Sequence, residues 1–177
     1  GSISELTGPT LATARDVITG LPRSYHDHQN NAIHFGPDGR LYIAQGAMTG
    51  YGAPDAYWGN RSETSLSAAI LVADVLNQPA FQGTVSVDTS QGYDPSAPGA
   101  PVTTYAIGIR NPYDFVFASN GHLYAPVNQS AAGNSPAGPR NSPPALPTFP
   151  AGADLPPANT AAGYDGPPHP PPAPPPP

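Results

Sequence analysis

The sequence predicts an all-β fold, and a repeated hairpin is the main reason. Residues 33–42 read Ile-His-Phe-Gly-Pro-Asp-Gly-Arg-Leu-Tyr, and residues 115–124 read Phe-Val-Phe-Ala-Ser-Asn-Gly-His-Leu-Tyr. Aligning Gly39 with Gly121 sets an offset of 121 − 39 = 82, which matches Phe35 with Phe117, Leu41 with Leu123 and Tyr42 with Tyr124. Each copy places alternating strands on either side of a turn dipeptide, Asp38-Gly39 or Asn120-Gly121. These dipeptides suit the positive φ of primed hairpin turns. Helical periodicity is weak throughout. Repeated hairpins suggest β-propeller blades of roughly 40–50 residues, which sets the copies about two blades apart. The chain has 177 residues, short of the roughly four blades that closure requires. The expectation is a partial β-propeller of about two to three blades, followed by a Pro-rich extended tail.

In chain order, residues 1–16 read as a polar lead-in with little periodicity. The propeller segment spans 17–128. It opens with Val17-Ile18, closed by Gly20-Leu21-Pro22, and continues through a dense polar stretch from Arg23 to Asn31. The first hairpin covers 32–46, and a Gly- and aromatic-rich loop with Tyr51, Tyr57 and Trp58 covers 47–65. A second β-like pair is expected at Ala69–Val75 and Gly83–Val87. After a Pro/Gly/Ser loop come the strand Val102–Ile109, the corner Arg110-Asn111-Pro112 and the second hairpin to Val127. Residues 129–177 are a Pro-rich low-complexity tail: 17 of the 27 prolines lie from Pro136 onward. Its end, Pro170 to Pro177, favours polyproline II because proline fixes φ and lacks the amide donor. Two readings of the tail follow, a disordered spacer or a rod that docks on other chains.

Composition narrows the function classes. The net charge is −6 and all six basic residues are arginine, with no basic cluster, which argues against a nucleic-acid ligand. No apolar run approaches the roughly 20 residues of a helical membrane span. Cysteine is absent, so disulfides and Cys metal sites are excluded. No signal peptide is visible. Asn60-Arg61-Ser62 and Asn128-Gln129-Ser130 match the acceptor triplet for N-glycosylation.

Two long motifs carry a resemblance. The stretch from Gly20 to Gly46, with Asp27-His28-Gln29, and the stretch from Tyr105 to Tyr124, with Arg110-Asn111-Pro112, resemble the soluble glucose/sorbosone dehydrogenase family. The resemblance covers roughly residues 17–128. It implies a six-bladed β-propeller that oxidises sugars or related alcohols with pyrroloquinoline quinone held by calcium. It also implies a periplasmic or extracellular location. Carried over by position, His28 becomes the general base on the substrate hydroxyl, and Arg110, Asn111 and Gln29 become cofactor contacts. The chemistry suits these residues. Imidazole takes a proton near neutral pH, and a guanidinium pairs with an anionic polycarboxylate. The chain also departs from the family. It has no lysine, and Ala-Pro-Val-Asn-Gln-Ser follows Tyr124 where the family has an acidic, glycine-rich segment. The expected function is therefore a fragment or truncated relative of a quinone-dependent sugar or alcohol dehydrogenase, weak or inactive alone, acting on a sugar or polyol. The alternative is a non-catalytic extracellular module with a polyproline spacer that meets other chains.

Each residue also has a plainer reading. Taken alone, His28 reads as a polar loop residue capping a strand, and Arg110 as a bridge between backbone carbonyls. His26 and His28 are two apart, a spacing open to a shared metal but lacking carboxylate or Cys partners. No metal ligand is assigned. His34 reads as a strand residue, and Asp38 and Asn120 as turn residues.

Overall fold

Two apolar runs explain the centre of the molecule. Leu41-Tyr-Ile-Ala and Ala69-Ile-Leu-Val-Ala are continuous rather than alternating, as expected of strands covered on both faces. The computed structural model describes residues 1–50, 52–54 and 56–128. The strands are β1 (Ser2–Thr7), β2 (Thr13–Thr19), β3 (Asn30–Phe35), β4 (Leu41–Gln45), β5 (Ala69–Ala73), β6 (Val85–Ser86), β7 (Val102–Ile107), β8 (Val116–Phe117) and β9 (Leu123–Tyr124). Two short 3-10 turns, Pro79–Gln82 and Thr89–Gln91, complete the list, so the described residues are all-β with no α-helix.

β3, β4, β5 and β7 form a four-stranded antiparallel sheet in that order. Every residue of β4 and β5 is buried. Because side chains alternate along a strand, the two strands feed two cores. Leu41, Ile43, Leu71 and Ala73 point to a cluster with Ile18, Phe81 and Val85, supplied by the β1-β2-β6 side. Tyr42, Ala44, Ile70 and Val72 point the other way, to Phe115, Phe117 and Leu123 of the β8-β9 hairpin. The central sheet thus lies between a three-stranded sheet and a two-stranded one. Full burial of side chains such as Ile70 and Leu71 is worth about 1.5–3 kcal/mol each.

The sequence repeat is also a structural one. Asn30 pairs with Gln45, His34 with Tyr42 and Phe35 with Leu41. At the 82-residue offset, Pro112 bridges Val127, Val116 pairs with Tyr124 and Phe117 with Leu123. The turns match bond for bond. Gly36 N–H donates to Arg40 O (2.8 Å) and Gly39 N–H to Gly36 O (3.0 Å); Ala118 donates to His122 O (2.9 Å) and Gly121 to Ala118 O (2.9 Å). Asp38 and Asn120 each accept the N–H two residues on, at 3.1 and 3.0 Å.

Four details differ from the sequence reading. The turns are not primed. Only the glycines take positive φ, +76° at Gly39 and +82° at Gly121, and neither Asp38 nor Asn120 does. Each loop is a longer one that closes on a left-handed glycine, with Pro37 locking a negative φ ahead of Asp38 in the first copy. Residues 1–16, a polar lead-in with little periodicity in the sequence, take part in a strand pair, β1 with β2, over the full length of β1. Only Ile3 of β1 is buried, so this edge strand shows no apolar alternation to read. The stretches at Ala69–Val75 and Gly83–Val87 do not pair with each other. β5 takes β4 and β7 as neighbours, and β6 crosses to run parallel to β2. Last, one four-stranded sheet and not two fills the span of one repeat, and the loops at 46–68 and 74–101 take up the remaining residues. Tyr51, the Pro-rich tail and the Gln129-Ser130 part of the second acceptor triplet lie outside the described residues.

Candidate functional site

The same offset relates the two motif segments, since 110 − 28 = 82 and 111 − 29 = 82. His28-Gln29 and Arg110-Asn111 therefore occupy equivalent positions just before the first strand pairing of each repeat. Gln29 O accepts from Gly46 N–H (2.9 Å), and Asn111 O accepts from Asn128 N–H (3.3 Å), again 82 residues on.

Gly46 is where the two repeats meet. A Cβ there would fall 2.6 Å from Asn111 Oδ1, 2.9 Å from His28 Cβ and 3.1 Å from Gln29 N. Only a residue without a side chain permits that approach. The next residue fastens the junction, as Ala47 N–H donates to Arg110 O at 2.7 Å.

His28 is 2% exposed. Its backbone N–H donates to Ser24 Oγ (3.0 Å), and Ser24 N–H donates to His28 O (2.9 Å). Ring Nδ1 lies 3.2 Å from Ala47 O. A carbonyl only accepts, so Nδ1 carries the proton and Nε2 holds the lone pair in the neutral ring. Burial, and then the Arg110 guanidinium, push the pKa of His28 below its ordinary value near 6.5, against smaller upward pulls from Asp27, Ala47 O and Glu63. His28 is therefore a neutral imidazole at neutral pH, with the tautomer a base requires.

Trp58 joins the two motif segments. It is buried, its ring lies 4.5 Å from the His28 ring, and the Arg110 guanidinium carbon sits 5.8 Å from its centre. That arrangement is a cation–π contact. Arg110 also donates from Nε to Gly50 O (2.6 Å) and from Nη1 to Asn128 O (3.4 Å). Arg110 thus bridges backbone carbonyls and places its charge near His28.

The other candidates separate. Asn111 is 1% exposed, and its Oδ1 accepts from Asn31 Nδ2 (3.2 Å), which also donates to Pro112 O (2.8 Å). It locks one repeat to the other from within. Gln29 is exposed. His26 turns from His28: its Nε2 lies 2.5 Å from Tyr57 O, and its ring stacks on Tyr57 at 4.3 Å. Among the described residues, no group of three His, Asp or Glu side chains is placed to hold a metal ion.

Two residues that sequence reasoning did not assign to the site shape it. One is Trp58, the chain's only tryptophan. The aromatic-rich loop was its signal. The other is Glu63, which accepts from Met48 N–H (2.9 Å), Thr49 N–H (2.9 Å), Thr49 Oγ1 (2.6 Å) and Ser67 Oγ (2.6 Å). It anchors the turn that presents Ala47 O to His28. A lone acid in a polar loop carries no spacing that could have announced this.

The residues present match a quinone carboxylate cofactor in part. Arg110 offers a cation next to a neutral base. Asn111 has its carbonyl oxygen engaged inside the fold, and no acidic cluster for calcium lies among the described residues. No protein-family model matches this chain, and no curated protein matches it significantly.

Proposed function

We propose that the chain is part of a quinone-dependent sugar or alcohol dehydrogenase, contributing the general base and one cation of its site. The observation that carries the reading is the His28–Ala47 hydrogen bond, which leaves Nε2 as the acceptor of a buried, neutral imidazole beside Arg110. In this reading His28 would take the hydroxyl proton of a sugar or polyol, and the quinone, when bound, would supply the hydride acceptor. Arg110 holds an anionic group near that base. Gln29, exposed next to His28, is available for a polar contact. Asn111 acts by positioning, through its bond with Asn31. Calcium is given no step. The antiparallel order of the central sheet and the face-to-face stacking of three sheets support blades of a propeller, with β3-β4-β5-β7 as one blade and the flanking sheets as parts of its neighbours. Periplasmic or extracellular residence belongs to the same reading.

The test is a titration of the full chain with pyrroloquinoline quinone, followed by Trp58 fluorescence, alongside dye-coupled oxidation of glucose with added calcium. Binding without robust turnover is expected. Arg110→Gln should weaken binding roughly tenfold, the loss of one charge-assisted contact. His28→Gln should leave binding in place and remove any residual turnover. Absence of binding would defeat the reading. Robust turnover would show that the chain carries a complete site.

A second reading, a non-catalytic interaction module, is favoured by the apolar side chains exposed on both repeats: Ile33 and Phe35 on the first, Val116 and Tyr124 on the second.

A further inference from the structure

His28 is enclosed, and Trp58 forms part of the enclosure. The indole lies 4.5 Å from the imidazole, with the rings tilted by 38°. It is itself buried and lies tight against the far wall, since a Cβ on Gly50 would fall 2.7 Å from Trp58 Nε1. A general base must come within hydrogen-bond reach of the proton it takes. With 2% of its surface exposed, His28 meets no substrate until something above it moves.

The turn that carries Trp58 is built to move as a unit. Gly59 N–H donates to Ala56 O (3.2 Å), which closes the turn Ala56–Gly59 on itself. Gly59 and Asn60 follow with φ of +69° and +54°, two left-handed residues in succession, of which Asn60 tolerates the conformation better than most side chains. Beyond them the chain is held firmly. Arg61 Nη1 donates to Arg23 O (2.8 Å), and Glu63 takes its four donors. The turn itself is fastened near the surface. His26 Nε2 donates to Tyr57 O (2.5 Å), and the Tyr25 ring packs on Gly59, where a Cβ would fall 3.1 Å from Tyr25 Cγ. Tyr25 and Tyr57 are exposed, and a hydrogen bond made in water contributes little net.

We infer that the turn Ala56–Gly59 is a cover over His28, swinging about Gly59-Asn60 to admit a ligand to the imidazole and closing to exclude water from it. Trp58 fills the space above the ring, and Tyr25 with His26 holds the turn down. A site emptied of water strengthens the charge interactions inside it, and hinge residues of a covering loop are the few positions that absorb its change of φ and ψ. The device does not depend on whether the chain oxidises sugars.

Reaction of the full chain with diethyl pyrocarbonate at neutral pH, read histidine by histidine by mass spectrometry, tests this, because the reagent needs a reachable, unprotonated ring nitrogen. His34 and His122 are exposed and serve as internal references. In the wild type His28 should react roughly tenfold more slowly than they do, or slower still, as a group reached only through local opening does. Trp58→Ala should bring His28 close to the reference rate. Tyr25→Ser changes an exposed ring, so far-ultraviolet circular dichroism should be unchanged, yet the His28 rate should rise about fivefold, the shift from losing one modest contact. Leu71→Ala lowers the stability of the whole fold and should leave the His28 rate where it is, because the opening is local. If Trp58→Ala fails to fold, Tyr25→Ser and His26→Ala decide the matter, and a His28 rate unmoved by both would overturn the inference. So would a wild-type His28 that reacts as fast as His122, or a His28 rate that rises in Leu71→Ala as much as in Tyr25→Ser, which would mean that only global unfolding uncovers the ring.

Discussion

At the scale of the residue, the behaviour of His28 follows from what surrounds it. Its pKa is lowered chiefly by burial, so the fold resists the proton. Well above pH 6.5 the ring is neutral whether folded or unfolded, and it adds nothing to the pH dependence of stability. Below that, the unfolded chain binds a proton that the folded chain refuses, and stability drops as pH falls towards the folded pKa. His28→Gln should flatten this part of the acid limb in urea melts recorded between about pH 7 and 5. Trp58 is the only tryptophan and lies against His28, so its fluorescence should report the same titration with a midpoint below the ordinary histidine value. His26 also touches Trp58, at 5.1 Å. The signal should therefore survive His26→Gln and vanish in His28→Gln. Glu63→Gln makes a separate case. It removes the charge that four donors share, and hydrogen bonds to a charged group are worth about 1.5–3 kcal/mol. A loss of about 2 kcal/mol in the same melts is expected, together with a displaced His28 titration. An unchanged titration would show that Glu63 does not position Ala47.

At the scale of the element, glycines of two kinds divide the work. Gly39 and Gly121 have open space around an added Cβ but sit at φ +76° and +82°. Alanine at either should cost about 1–2 kcal/mol of backbone strain and leave the site undisturbed. Gly46 lacks that special φ but meets Asn111 Oδ1 at 2.6 Å. Gly46→Ala should cost about 3 kcal/mol by overpacking and shift the His28 titration seen through Trp58. Equal effects of Gly39→Ala and Gly46→Ala on that titration would show that Gly46 is not the junction. The turn glycines were legible in the sequence because their dipeptides recur at matching positions. The junction glycine was not, because nothing in Gln45-Gly46-Ala47 tells which distant residue comes against it. β1 was hidden for a related reason: an edge strand burying one side chain has no period to detect.

At the scale of the whole molecule, stability rests on the sheet that both neighbours cover. Leu71 is fully buried in the cluster shared with the β1-β2-β6 sheet. Leu71→Ala should cost about 2–5 kcal/mol, with near- and far-ultraviolet signals lost together in one transition. Separate transitions would mean that the three layers unfold independently. Tyr42, on the opposite face, has its phenol pushed up to about 12, first by burial and then by its bond to Asp38. Its ultraviolet titration should consequently lag well behind that of an exposed tyrosine.

The sequence by itself determined that the chain is β-structured and built on a repeated hairpin, since alternation and turn chemistry are local properties that a few adjacent residues specify. The matching hydrogen bonds at Gly36–Arg40 and Ala118–His122 bear that out. It also singled out His28 and Arg110. Tertiary structure alone decided that these two residues, 82 positions apart, lie against one tryptophan. It decided that Asn111 locks the repeats together while Gln29 faces outward, that β6 leaves its neighbours to join β2, and that a single sheet spans one repeat. Such partnerships depend on which surfaces bury each other across long separations, and the packing of Phe117 on Tyr42 and of Gly46 on Asn111 sets them only once the whole chain has folded.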